Sequence, residues 1–188
     1  MSHRSKHLES EARAPDLAGE PGWARLEVPA IYEPGRSYAS GEPDGQRLRV
    51  RYYHRDGDDA MLGKVWFGPG TEGPPGHAHG GSICALMDEA MGGSAWMLGH
   101  PVVAARVTVN FRKIVPLGTV AWFRAWVEAV HGRKVTAKGV LTSAHATDTF
   151  ADADGLFIVI KPEQVSAMDE RMHRLFERSN ELAARRRK

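Results

Sequence analysis

The sequence contains a single cysteine, Cys84, in 188 residues. A disulfide within the chain and a cysteine-built zinc site are therefore excluded. Such scarcity suits a reducing compartment, and a cytoplasmic location is the expectation. Long apolar runs are missing too. The longest strong one, Leu156 to Ile160, is far shorter than a membrane span. The residues from Met1 to Glu20 are polar and charged and lack the apolar stretch of a secretion signal. No targeting segment and no membrane partner are expected. Charge of one sign is also lacking, because 25 Lys and Arg face 23 Asp and Glu, a net charge of +2. That balance argues against a nucleic-acid partner, which usually calls for a strongly basic face. The local lack of charge says more, since Val65 to Ala105 contains no Lys or Arg at all.

What is present reads as one globular domain with extensions. Apolar residues make up 42% and charged residues 26%, outside the range of disordered chains. Residues 1–45 read as an arm followed by an extended strap. The strap carries Trp23, Leu26, Val28, Ile31 and Tyr32 among Pro29, Pro34 and Pro43. Residues 46–162 hold the domain. Residues 163–188 read as an amphipathic helix with Val165, Met168, Met172, Leu175 and Leu182, ending in a basic run from Arg185 to Lys188.

Within the domain, Gln46 to His54 alternates as a strand. Asp56-Gly57-Asp58-Asp59 turns the chain, and Met61 to Phe67 returns. A Gly/Pro loop, Gly68 to Gly76, leads into a helix from Gly81 to Leu98. Val103, Ala105, Val107, Val109 and Phe111 share one face of the next strand. Thr119 to Val130 is apolar on both faces and is expected to be central. Arg133 to Ala144 returns from a hairpin at His131-Gly132, and Thr149 to Ile160 is the last strand. One helix followed by a meander predicts an α+β fold with the helix on a curved antiparallel sheet.

The helix carries the functional signal. Ile83, Leu86, Met87, Ala90, Met91 and Met97 form its inner face. The opposite side holds Cys84, Ala85, Asp88, Gly92 and Ala95, with Glu89 and Trp96 to one side. Small residues there let a ligand or partner approach closely. Asp88 has no cation three or four residues away. A carboxylate so placed finds hydrogen bonds, has a raised pKa or does chemistry, and an interface aspartate is the plain alternative. Glu89 reads as structural. At the helix start, His79-Gly80-Gly81-Ser82 exposes backbone N–H groups at the positive end of the dipole, the ingredients of an oxyanion hole. Simple loop flexibility before a cap at Ser82 is the alternative.

These residues resemble a known family. His79-Gly80-Gly81-Ser82-Ile83 with Leu86-Met87-Asp88-Glu89-Ala90-Met91-Gly92 is similar to the HGG motif of hot-dog-fold acyl-CoA thioesterases of the phenylacetate-pathway (PaaI-like) type. The likeness continues through Val107-Thr108-Val109-Asn110-Phe111-Arg112, Pro116 and Gly118, and Gly132-Arg133-Lys134. It covers roughly residues 61–160. The resemblance implies a hot-dog fold, one long central helix wrapped by the sheet, here with the N-terminal strap and C-terminal helix added. It implies an acyl-CoA substrate and no cofactor. It also implies a homodimer, or a dimer of dimers, with active sites at the dimer interface. Asp88 would be nucleophile or general base. Amides near Gly80 and Gly81 would polarise the carbonyl, with His79 buttressing the loop. Ser82, Ala104 and Asn110 would line the substrate. Because CoA carries phosphates, the strand-end cations Arg112, Lys113, Arg133 and Lys134 could meet them, with ordinary solvated strand-end charge the plain alternative for each.

Two positions depart from the family pattern. Ala104 stands where Ser or Thr often positions water. In the loop before His79, Glu72 is the nearest side chain to an expected amide or carboxylate. Two other functions stay open, an acyl-CoA hydratase or dehydratase using His79, and a non-catalytic acyl-CoA-binding dimer. A metal at His77-x-His79 lacks a further ligand and is not expected. Met87, Met91 and Met97 read as core rather than acyl pocket, and so do Trp122 and Trp126.

Overall fold

The computed structural model describes residues 15, 17–26, 38–39, 45–161 and 170–186. The expected strap residues Val28, Pro29, Ile31, Tyr32, Pro34 and Pro43 lie outside them, as do Val165 and Met168.

Seven strands form one antiparallel sheet. They are β1 (Trp23–Leu26), β2 (Leu48–Arg55), β3 (Asp58–Phe67), β4 (Val102–Phe111), β5 (Val120–His131), β6 (Lys134–Ser143) and β7 (Thr149–Val159). Their order across the sheet is β1-β2-β3-β5-β6-β7-β4. The long helix α1 (Gly80–Met97) packs on one face, and α2 (Glu170–Arg186) follows the last strand. The expected α+β architecture of one helix wrapped by a curved sheet is what forms. The apolar strand β5 lies in the middle of the sheet, as its two-faced pattern requires.

The first hairpin turns at Asp56-Gly57 alone, because Arg55 pairs with Asp58. Gly57 has φ +77°, a value that suits a two-residue turn and favours glycine. The inner face of α1 buries Leu86, Met87, Ala90 and Met91 completely. Each of the larger ones contributes about 1.5–3 kcal/mol by leaving water. Gly139 on β6 makes room for them, since a Cβ there would lie 3.1 Å from Met87 Sδ. Met97 is buried with them, so the three methionines are core.

Three expectations change. Ala95 is fully buried, not outward-facing. It lies four and eight residues beyond Met91 and Met87, which puts it on their stripe. On β4 the alternation breaks at a bulge between Ala104 and Arg106. Val102 is buried and Val103 is 53% exposed, whereas an unbroken pattern from Val103 to Phe111 would bury Val103. Trp122 and Trp126 are half-buried outside the core cluster rather than within it. Trp122 packs on Trp23 at 5.5 Å and under Lys64 Nζ at 5.2 Å. Trp126 packs under the Arg124 guanidinium.

Residues 17–26 run along the β2 edge of the sheet. Tyr53 donates its hydroxyl to the carbonyl of buried Leu17 at 2.6 Å, and Lys64 pairs with Glu20 at 2.6 Å. At the other end, α2 packs on the last turn of α1. Phe176 meets the ring of Trp96 edge-on at 5.5 Å, and Ser179 Oγ donates to the Trp96 carbonyl.

Candidate active site

The loop entering α1 is held at every residue. Ala78 donates its N–H to Val115 O at 2.8 Å, and His79 donates its N–H to Thr71 O at 2.7 Å. His79 is the N-cap, with extended backbone at φ −66° and ψ 137°. Its Nδ1 accepts the Gly81 N–H at 2.9 Å, and its carbonyl accepts the Ser82 N–H at 2.9 Å. Accepting at Nδ1 places the ring proton on Nε2. The Gly81 amide, one of the two expected to polarise a carbonyl, is therefore already used. The Gly80 N–H has no acceptor among the described residues. Gly80 also lies against the Phe111 ring from the end of β4, where a Cβ would come within 3.2 Å of Cζ. Phe111 is 54% exposed, so it flanks this amide at the surface of the chain.

Two helical turns further on is Asp88. Gly80, Cys84 and Asp88 follow one another at intervals of four, each about 40° further round α1, so Asp88 lies about 80° round from Gly80. Asp88 is about 12 Å along the axis from Gly80, and side chains lean toward the helix start, which shortens the gap. Its carboxylate has no hydrogen bond or ion pair among the described residues. The residue reaches solvent, yet burial by the surrounding protein raises its carboxyl above the ordinary value of 3.8. Its neighbour Glu89 accepts the Tyr52 hydroxyl at 3.1 Å, the structural role expected of it. Cys84 is a half-buried free thiol.

The raised value has a consequence for stability. The folded state binds the Asp88 proton more tightly than the unfolded state does. This residue's contribution is then fully present below pH 3.8 and is lost as pH rises through the folded-state value. Asp88→Asn is expected to raise the thermal midpoint at neutral pH, and the gain should vanish in acid below 3.8. Thermal denaturation of both proteins over a pH series checks this, and equal midpoints at neutral pH would contradict it.

The other expected residues divide into groups. Ala104 pairs with buried Phe157 and so faces α1, but it is exposed. Asn110 and Arg112 both bond to Asp152, at 2.8 Å and 2.5 Å. Lys113 pairs with Asp148. Arg133 donates twice to the Val159 carbonyl, at 3.2 Å and 3.1 Å. Lys134 is exposed and has no partner among the described residues. Arg112 and Lys113 follow the Phe111 end of β4, while Arg133 and Lys134 lie by its Val102 end. A ten-residue strand spans about 33 Å, so one chain does not gather all four cations. Glu72 accepts the Gly76 N–H at 2.8 Å and closes the Pro74-Pro75 turn. His77 Nδ1 meets Pro75 O at 2.9 Å. Among the described residues no three His, Cys, Asp or Glu side chains come together as a metal site.

Sequence reasoning missed two features here. The free amide at Gly80 depends on a side-chain cap, and the closeness of Phe111 to Gly80 depends on how β4 passes the helix start.

A helix wrapped by an antiparallel sheet defines a hot-dog domain, here with the helix entered through His-Gly-Gly and carrying Asp88 and Glu89 at mid-length. Residues 75–147 match the model of the thioesterase superfamily. The acyl-coenzyme A thioesterase THEM5 of Mus musculus is 31% identical over 99 residues, 53% of this chain and 40% of that protein. The acyl-coenzyme A thioesterase THEM4 of Bos taurus is 32% identical over 129 residues, 69% of this chain and 53% of that protein. The chain thus spans about half the length of the curated relatives it matches. The PaaI protein of the E. coli phenylacetic acid degradation operon superposes with a TM-score of 0.55 at 17% identity, covering 60% of this chain and 80% of that one. Over residues 75–147 the chain is similar to the thioesterase superfamily, and its fold is the hot-dog fold of the PaaI protein.

Proposed function

We propose that the chain is an acyl-CoA thioesterase, hydrolysing the thioester to a free acid and CoA. The observation that carries this reading is the Asp88 carboxylate, which has no partner among the described residues, two turns along α1 from the Gly80 N–H, which has none either. The thioester carbonyl oxygen accepts that N–H, which is aimed where negative charge develops. Asp88 removes a proton from water as the water oxygen bonds to the carbonyl carbon, or it attacks that carbon itself. The carbon–sulfur bond then breaks, and the CoA thiolate takes up a proton. His79 holds Gly81 and so fixes the direction of the Gly80 N–H. Ala104 offers no hydroxyl to the attacking water. The names of the curated relatives support the substrate class.

The active unit in this reading is a homodimer joined through β4. Among the described residues that strand has only β7 beside it, and its other edge is open. Pairing two β4 strands antiparallel about a two-fold axis sets the Val102 end of one beside the Phe111 end of the other. Arg133 of the partner subunit and Lys134 of the partner subunit would then stand near Arg112 and Lys113. Four cations would share one mouth for the phosphates of CoA.

A hydratase would need His79 as an acid or base, but its Nδ1 is committed to Gly81 and no carboxylate among the described residues bonds to it. Incubation with a conjugated enoyl-CoA separates the two reactions. The thioesterase reading expects free thiol with the double bond retained. Loss of the enoyl absorbance without thiol would overturn it. Light scattering on the same sample is expected to return at least twice the mass of one chain.

A further inference from the structure

We propose that Asp152 is a positioning residue for this reaction, acting through Phe111, whose ring walls the Gly80 N–H. The proposal rests on the thioesterase reading above. Outside the backbone of α1 itself, the three atoms nearest to a Cβ at Gly80 all belong to the Phe111 ring, at 3.2, 3.4 and 3.8 Å. Phe111 is opposite Ala151 on β7, and Ala151 is fully buried, so the ring is on the α1 side of the sheet. The residues on either side of Phe111 point the other way. Asn110 Nδ2 donates to Asp152 Oδ1 at 2.8 Å, and Arg112 Nε donates to Asp152 Oδ2 at 2.5 Å. One carboxylate thus grips both neighbours of Phe111 from the face turned away from α1.

This end of β4 depends on such a grip. Among the described residues β4 has β7 on one side only, and the strand stops at Phe111. Just beyond, the N–H groups of Arg112 and Lys113 both donate to Phe150 O, at 2.8 Å and 3.1 Å, so the regular ladder has ended. Arg112 first and Asn110 second hold the Asp152 carboxyl below its ordinary value of 3.8, and the grip stays charged through the neutral range. Asn110 and Arg112, expected at the substrate, have in this way a second task. Arg112 uses only its Nε–H for it, and its terminal N–H groups remain for a phosphate. The task of the ring follows from its place. A thioester whose carbonyl oxygen accepts the Gly80 N–H has the Phe111 ring beside it, and the ring keeps water from that side. A hydrogen bond to a developing oxyanion is stronger where water is excluded. The grip fixes the backbone that carries the ring and leaves the ring its own torsions.

The test is thiol release from the best substrate of a saturated acyl-CoA series from acetyl to palmitoyl, with kcat and KM measured separately. The proteins are wild type, Phe111→Ala, Phe111→Tyr, Asp152→Asn and the double variant Phe111→Ala with Asp152→Asn. Phe111→Ala and Asp152→Asn are each expected to lower kcat about 10–100-fold, the scale on which a misplaced group slows a reaction, with KM changed less. Phe111→Tyr restores the ring and is expected to recover most of the wild-type kcat. The double variant is expected to match Phe111→Ala, because Asp152 has nothing to position once the ring is gone. Arg112 and Asp152 both reach solvent, and an ion pair of that kind adds little stability. Asp152→Asn should therefore keep the wild-type thermal midpoint and the wild-type mass in light scattering. Phe111→Leu, apolar but without the ring, takes the place of Phe111→Ala in the cycle if the latter does not fold. Losses that multiply in the double variant would overturn the inference, as would losses that follow a fall in mass or midpoint. If wild type hydrolyses no member of the series, the reading of the site fails and this inference falls with it. Turnover by wild type with an undiminished kcat in Asp152→Asn sinks the inference alone.

Discussion

Asp88→Asn is expected to lower kcat for acyl-CoA hydrolysis by about 10²–10⁴-fold, with KM changed little. General bases and nucleophiles contribute on that scale, and the amide keeps the shape of the carboxylate without its basicity. No described side chain bonds to Asp88, so the substitution breaks no ion pair and leaves no partner stranded. A loss of activity therefore reports chemistry, not collapse. The expected rise in thermal midpoint at neutral pH is the internal control, because a merely structural aspartate would give the opposite sign. The pH profile adds a second check. Activity needs the ionised carboxylate, so kcat/KM should rise with pH along a limb displaced above the ordinary aspartate value of 3.8. Steady-state kinetics on both proteins from pH 4 to 8 measures all of this, and a variant with wild-type kcat refutes the assignment.

Gly80→Pro is the second large effect. Proline at the first residue of a helix is well tolerated, since its missing N–H is not needed by the helix. His79, the residue before it, already has the extended backbone that proline demands of its predecessor. The substitution thus removes one N–H and leaves the helix start intact, with the exposed Phe111 ring able to shift. If the Gly80 amide stabilises the developing oxyanion, kcat should fall about 10²–10³-fold. The Gly81 amide is held by His79, so it does not substitute. Circular dichroism and a thermal midpoint near that of wild type would establish that the variant folds. Retained activity in a folded Gly80→Pro protein would move the oxyanion site elsewhere.

Much of this was legible in the sequence because local rules and tertiary structure agree. The alternation in β2, the two-faced apolar pattern of β5 and the glycine turns at Gly57 and Gly132 marked the strands. Helical spacing gave the inner face of α1, and the missing cations marked Asp88 as unusual. The rest depends on events that a one-dimensional pattern does not carry. A bulge at Ala104 and Arg106 moves Val103 outward with no glycine or proline to announce it. Ala95 looks like the other small residues of the outer face, and only its distance from Met87 and Met91 assigns it inward. Which of two adjacent glycines keeps a free N–H is decided by the rotamer of His79. Trp122 and Trp126 read as core because they share one face of a strand, yet that face carries the cations of Lys64 and Arg124 over their rings.

The measurement that tests the central claim most directly is the release of free CoA thiol from a saturated acyl-CoA by the wild-type chain at neutral pH, with the acid product quantified in the same sample. Catalytic turnover is expected, with thiol and free acid appearing in equal amounts. Tight binding of the acyl-CoA with no thiol released, across aromatic, medium-chain and long-chain thioesters, would contradict it and leave a binding protein in its place.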